Sequence, residues 1–248
     1  MMNVVLRCAT WLAPGLPLEL FETVSDAVAA ALGTNATLTS YTAASGPDPD
    51  DDPFARDDFD LGFMCAPSYR RLESVRLVHA APVFDDPRNE GTPVYFSELV
   101  VRATSTAASL TDLRGARIGY NDSQSMSGLG ALRDRMAALE LDDSFATLVH
   151  TGGHLRSLSM LANDDIDAAA IDSNTLIAQQ DRTAGLRVVE TWGPLPVQPL
   201  VVRASLTDKT RQVITGTLLA LHDDLETGPR LRSRGVLCFA PVTEDDYR

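Results

Sequence analysis

The sequence predicts an α/β fold of two Rossmann-like lobes joined by two crossover segments, with a ligand cleft between the lobes. Three observations carry this expectation. Short apolar runs at residues 4–9, 60–66 and 166–171 alternate with amphipathic stretches, as buried parallel strands alternate with the helices that cover them. Leu99-Val100-Val101-Arg102 is echoed by Leu200-Val201-Val202-Arg203, as two similar crossings would be. A chain of 248 residues has room for two ordinary domains. Residues 1–100 with 200–248 are expected to form one discontinuous lobe and residues 101–199 the other. In such sheets ligands gather at the carboxyl ends of the strands.

Taken in order, the run at 4–9 is the first strand, and Trp11-Leu12-Ala13-Pro14-Gly15 is the loop at its carboxyl end. Pro17 opens a helix with Leu20, Phe21, Val24, Val28 and Leu32 on one stripe, closed by Gly33. Residues 36–41 read as a second strand. The Pro- and Asp-rich stretch 46–58 reads as a surface loop too polar to pack. Residues 60–66 and 75–83 form the next two strands, and 95–101 a longer one. The second lobe carries strands at 118–120, 146–149, 166–171 and 187–190, with helices between them. Residues 193–199 hold three prolines and are excluded from helix and central strand alike. A helix over 207–225, with Val213, Ile214, Leu218 and Leu221 on its apolar side, returns to the first lobe. Gly228 and Gly235 break the remaining stretch of chain.

Composition narrows the function. A net charge of −13 argues against a nucleic-acid partner, because phosphate backbones are bound by basic surface. It leaves small anions open, since these respond to local donors. Cys8, Cys65 and Cys238 are odd in number and form no Cys-x-x-Cys pair, so free thiols are expected. No run is long enough to span a membrane. No charged segment followed by an apolar one opens the chain. It is therefore expected to stay in the cytoplasm, or to be periplasmic if a signal has been removed.

The stretch most loaded with chemistry is RIGYNDSQSMSGLGAL, residues 117–132. A short strand turns into a helix through Asn121, Asp122, Ser123, Gln124, Ser125, Met126, Ser127 and Gly128. The first N–H groups of such a helix lack intrahelical partners. With the helix dipole and the Ser125 and Ser127 hydroxyls they can converge on one anion. The same residues also serve as an ordinary helix N-cap, and the two roles are compatible. His154 follows two glycines at the first turn of a helix, a place where binding is expected over core packing. Its spacing from His150 would suit zinc on a helix, but Gly152 and Gly153 argue against helix there; no metal and no cofactor is expected. Asp172 stands between a helix cap and a ligand contact. Tyr95 stands between core aromatic and ligand wall, with Trp11 a further candidate for the wall.

Tyr95-Phe96-Ser97, SLTDLRGARIGYNDSQSMSG (109–128), GGH (152–154), DAAAIDS (167–173) and PVTEDDY (241–247) occur in a familiar order. In this the chain resembles the phosphonate/phosphate-type substrate-binding proteins of ABC transporters, which have the type 2 periplasmic-binding-protein fold. The resemblance covers nearly the whole chain. It implies that Ser125, Met126 and Ser127 form the oxyanion loop, with Met126 in place of a central Thr and contributing only its N–H. It further implies that His154 contacts the oxyanion, that Tyr95 comes from the hinge-proximal strand, and that Asp172 lies near the position that meets a ligand amino group. Cys65, Ala66 and Tyr69 fall on a first-lobe loop that closes over the ligand.

The function expected is a solute-binding protein that closes two lobes over a small, oxyanionic ligand for an ABC permease. The alternative is a cytoplasmic lyase or hydrolase on the same scaffold, with Ser125, His154 and Asp172 as a Ser-His-Asp set. No Gly-x-Ser-x-Gly elbow is present to support that set.

Overall fold

The computed structural model describes residues 5–42 and 44–248. The expected strand residue Val4 lies outside them. In chain order the elements are β1 (Val5–Thr10), α1 (Leu18–Ala31), β2 (Asn35–Ser40), β3 (Leu61–Phe63), α2 (Ala66–Arg71), β4 (Val75–Leu77) and β5 (Ala81–Phe84). There follow β6 (Val94–Arg102), β7 (Arg117–Tyr120), α3 (Ala131–Ala138), β8 (Thr147–His150), α4 (His154–Ala162), β9 (Ala168–Asp172), α5 (Ser173–Ala178) and β10 (Leu186–Pro196). The chain ends with β11 (Leu200–Arg203), α6 (Asp208–Ala220), α7 (Thr227–Arg232) and β12 (Val236–Ala240). Two compact units divide it: Met1–Val94 with Pro196–Arg248, and Tyr95–Leu195.

The first unit holds a five-stranded sheet in the order β2-β1-β3-β11-β4 and a two-stranded one, β12-β5. β1 runs parallel to β2 and β3, while β11 is antiparallel to β3 and β4. The stripe expected on α1 is buried through Leu20, Phe21, Val24 and Val28. The apolar run 75–83 is two strands in two different sheets, not one. The break at residues 78–80 is held by Val78 N–H donating to the Leu200 carbonyl and by His79 Nδ1 against the Val242 carbonyl at 3.1 Å.

The Pro/Asp-rich loop packs after all. Phe54 is buried against Trp11 and Phe59, while Asp52 caps the Phe54 and Ala55 amides. Arg71 binds the Pro47 and Pro49 carbonyls. One aromatic among thirteen polar-looking residues anchors the loop. The helix expected over 207–225 ends as α6 at Ala220 and passes into a 3-10 turn at Leu221–Asp223, and Val213 is exposed where Ile214 and Leu218 are buried. Gly228 lies inside α7 rather than breaking it, because a Cβ there would stand 2.4 Å from the His222 carbonyl oxygen.

The Tyr95–Leu195 unit is built on one sheet in the order β10-β6-β9-β7-β8. β7 is parallel to β8 and β9, and β6 is antiparallel to β9. Leu99, Val101, Leu110, Ile118, Leu132, Phe145 and Ala170 fill one core. Val100, Leu158, Leu161, Ile166 and Ile171 fill another, as β6 and β9 alternate in pointing their side chains to the two clusters. β10 runs on through Gly193 and Pro194. It does so as an edge strand, the position where missing N–H donors cost least.

Each unit carries the same ionic clamp. Asp60, one residue before β3, takes the Arg7 N–H and Nε on Oδ2, and Arg7 Nη2 and Arg203 Nη2 on Oδ1, all at 3.0 Å. Asp167, one residue before β9, takes the Arg117 N–H (2.8 Å), Nε (3.1 Å) and Nη2 (2.9 Å), with Arg102 Nη2 at 3.7 Å. Three positions earlier stand Asp57 and Asp164, both with positive φ, whose carbonyls accept from Arg7 and Arg117. The likeness of the 99–102 and 200–203 runs thus extends to Arg102 and Arg203, which join equivalent clamps.

Candidate functional site

The loops after β7, β8 and β9 emerge at one edge of the second unit's sheet, as the parallel registers require. Because β6 is antiparallel, with Ser97 opposite Asp172, its first residues reach the same edge. Most of the residues expected to bind are brought together here.

The β7 loop closes in a π-helical turn, Met126–Gly130, which leads into α3. Such wide turns are found mostly as single insertions, often at functional sites. Ser125 is its N-cap: Oγ accepts the Gly128 N–H at 3.0 Å, and its carbonyl accepts the Gly130 N–H at 3.1 Å. The capping role expected for Ser125 is therefore occupied, and the hydroxyl keeps its own proton to donate. Ser127 is buried inside the turn, and its carbonyl accepts the Ser97 hydroxyl at 2.6 Å. Asp122 Oδ1 takes the Gln124 N–H and Oδ2 the Asn121 amide, both at 2.8 Å, which holds the approach to the turn. Gly128 is required by space, since a Cβ there would stand 1.9 Å from Asn121 Oδ1.

His154 is the first residue of α4. Gly153, the residue before it, is extended, and Gly152 has φ +86°. Gly152 thus serves the sharp turn that aims the helix start, while the extended backbone at Gly153 is one that any residue adopts. Thr151 fastens that turn to Tyr120 by its N–H and Oγ1, each 2.9 Å from the Tyr120 carbonyl, and to Ser157 at 2.6 Å. Among the described residues, buried His154 Nδ1 has no hydrogen-bond partner. Burial pushes the imidazole down to about 4, so the ring is neutral near pH 7.

Asp172 ends β9 and caps α5, its Oδ1 accepting the N–H groups of Asn174 (2.8 Å) and Thr175 (3.2 Å). The next residue, Ser173, accepts the Phe96 N–H at 3.0 Å, which pins the start of β6 to this edge. Tyr95 is fully buried beside it in sequence. Asn174 reads from sequence as part of the cap of α5 and not as a ligand contact. It is buried, and among the described residues neither Oδ1 nor Nδ2 has a partner. An Asn in the first turn after a capping Asp was the available signal, and it looks like any other polar first-turn residue.

Trp11 belongs to the other unit. Its indole stacks on Tyr41 at 5.1 Å and meets Phe54 and Phe59, so its packing is that of a core aromatic. In the same unit Cys65 and Ala66 are buried at the start of α2, and the Tyr69 phenol donates to Glu244. The edge loops 94–97, 119–128, 150–154 and 172–174 contain no Lys or Arg. Among the described residues no group of His, Cys, Asp or Glu is arranged to hold a metal ion, and no helix is long and apolar enough to cross a membrane.

The fold is that of the type 2 periplasmic binding proteins. It superposes with a TM-score of 0.81 on PhnD1 from Prochlorococcus marinus in complex with methylphosphonate, at 14% identity over 98% of this chain and 94% of that one. A binding-protein component of an ABC phosphonate transporter from Pseudomonas aeruginosa gives 0.79 at 16% identity, over 99% and 83%. XAC2383 from Xanthomonas citri, bound to ATP, gives 0.74 at 16%, over 98% and 92%. No curated protein sequence matches. Residues 23–247 match the family model of phosphonate ABC-transporter periplasmic substrate-binding proteins, and the chain belongs to that family.

Proposed function

We propose that the edge formed by the β7, β8 and β9 loops binds the oxyanion of a phosphonate- or phosphate-like solute, which the protein presents to an ABC permease without chemical change. The observation that carries this reading is the capped π-turn at Ser125–Gly130, where the Ser125 and Ser127 hydroxyls and the leading amides of the turn stand on one buried, fastened loop. His154 adds a neutral ring nitrogen as a hydrogen-bonding group. Met126 contributes through its backbone. Asp172 acts by holding the start of α5, and Tyr95 by walling the site beside Phe96.

The PhnD1 structure holds methylphosphonate, which supports a phosphonate as the first ligand to try. The solute-binding reading is favoured over a lyase or hydrolase by the state of Ser125. Its oxygen accepts from Gly128, and among the described residues His154 Nδ1, the nitrogen a carboxylate would orient in such a set, has no partner.

A thermal-shift titration with phosphate, methylphosphonate, methanesulfonate and acetate tests the proposal. An oxyanion is expected to raise the melting temperature of the parent by mass action. A hydrogen bond to a charged oxygen contributes about 1.5–3 kcal/mol, so Ser127→Ala is expected to weaken binding about tenfold or more. His154→Ala should blunt the shift as well. An equal shift in both variants removes these residues from the site, and a shift with none of the anions removes the reading.

A further inference from the structure

Asn174 is 2% exposed, and both ends of its carboxamide are buried without a partner among the described residues. Leaving a donor and an acceptor idle away from water is costly, and native proteins seldom do so without a reason. The backbone around it is fixed. Asp172 holds the Asn174 N–H, Ser173 holds Phe96, and β9, which ends just before, packs on the 126–130 turn. The residue is therefore placed firmly while its side chain is left unspent.

Resting on the oxyanion reading above, we propose that Asn174 selects the singly protonated form of the ligand's acidic group. Nδ2 donates to a phosphoryl oxygen and Oδ1 accepts the proton of the neighbouring P–OH. A carboxamide offers one donor side and one acceptor side. A hydrogen phosphonate monoanion matches both, as does the dihydrogen phosphate monoanion, which also keeps a P–OH beside a free phosphoryl oxygen. A sulfonate or sulfate brings only acceptors, and leaves Oδ1 facing another oxygen with no hydrogen between them. A site built to hydrogen-bond a ligand O–H rejects analogues that lack it far more strongly than an apolar pocket rejects a missing methylene.

The charged and titratable groups around this edge act in the same sense. Asp172 and Asp122 are buried carboxylates that oppose a second negative charge on the ligand. Glu98, opposite Ile171 on β6, accepts the Thr191 hydroxyl. His154 supplies no positive charge in the pH range of the test. The edge loops hold no Lys or Arg to compensate a second negative charge.

The test is calorimetric titration of the full chain at mildly acidic pH, where methylphosphonate and methanesulfonate each carry one negative charge and only the former has an O–H. The parent is expected to prefer methylphosphonate by about tenfold or more, the penalty of one unmet buried acceptor. Asn174→Leu, close in size but without either polar end, is expected to bring the two ligands within about threefold of each other, below what one net hydrogen bond contributes. Equal binding of both by the parent overturns the inference and leaves the oxyanion site standing. An undiminished preference in Asn174→Leu also overturns it. Should Asn174→Leu fail to fold, the parent's ratio decides alone. Binding of neither ligand by the parent overturns the oxyanion reading, and this inference with it.

Discussion

Gly128→Val is expected to abolish the thermal response to oxyanions and to lower stability by about 3 kcal/mol, the upper end for forcing atoms into a packed site. The first added carbon would stand 1.9 Å from Asn121 Oδ1 and 3.1 Å from Ser125 Oγ. Neither neighbour can move cheaply. Asn121 is bonded to Asp122, which fixes the Gln124 amide, and Ser125 is the cap of the turn itself. Relief must come from opening the π-turn, which takes the Ser127 carbonyl away from the Ser97 hydroxyl and scatters the amides. Chemical denaturation reads the stability loss and the thermal-shift titration the binding loss. A variant that melts like the parent and still responds to ligand would show that the turn does not depend on this close approach.

Asp60→Ala is expected to destabilise the protein by about 2–3 kcal/mol, below the 3–5 kcal/mol typical of breaking a fully buried pair, because Arg7 is partly solvated. Asp60 gathers four hydrogen bonds from two arginines. Burial works to raise its pKa, but the bonds and charge of Arg7, with the charge of Arg203, outweigh it and hold the carboxyl below the usual range. Asp167→Ala should cost less, about 1 kcal/mol, because that carboxylate is one-third exposed and its charge is screened by water. Hydrogen bonding to Arg117, above all, holds the Asp167 carboxyl down to about 2.

Both are carboxylates with depressed folded pKa values, so their contribution is present above the unfolded value. It is lost as pH falls through the folded one. The gap between parent and Asp167→Ala should therefore close between about pH 4 and pH 2. A gap that persists at the acid end would mean the loss comes from packing instead.

Much of the fold was legible because its signals are local. The α1 stripe, the runs that become β6, β7 and β9, and Gly152 ahead of His154 each state their role within a few residues. What was illegible depends on partners far away in sequence. The run 75–83 is apolar throughout, and only pairing with β11 on one side and β12 on the other divides it. Phe54 looks stranded among aspartates until Trp11 and Phe59 arrive to cover it. Of the candidate site residues, the Ser125 turn and His154 announce themselves by small hydroxylated residues and glycines at strand ends. The Ser97 anchor and the idle amide of Asn174 do not, because each matters through what a neighbouring strand does or fails to offer.

The cation-free edge has a kinetic corollary. On the proposed oxyanion reading, a molecule carrying −13 overall repels an approaching anion at long range, while the edge loops, with no Lys or Arg, attract it through dipoles at contact. Added inert salt shortens the reach of the repulsion and leaves buried dipoles almost untouched. Capture should then quicken, and release hold steady, as ionic strength rises, opposite to a receptor that draws its solute in with lysines.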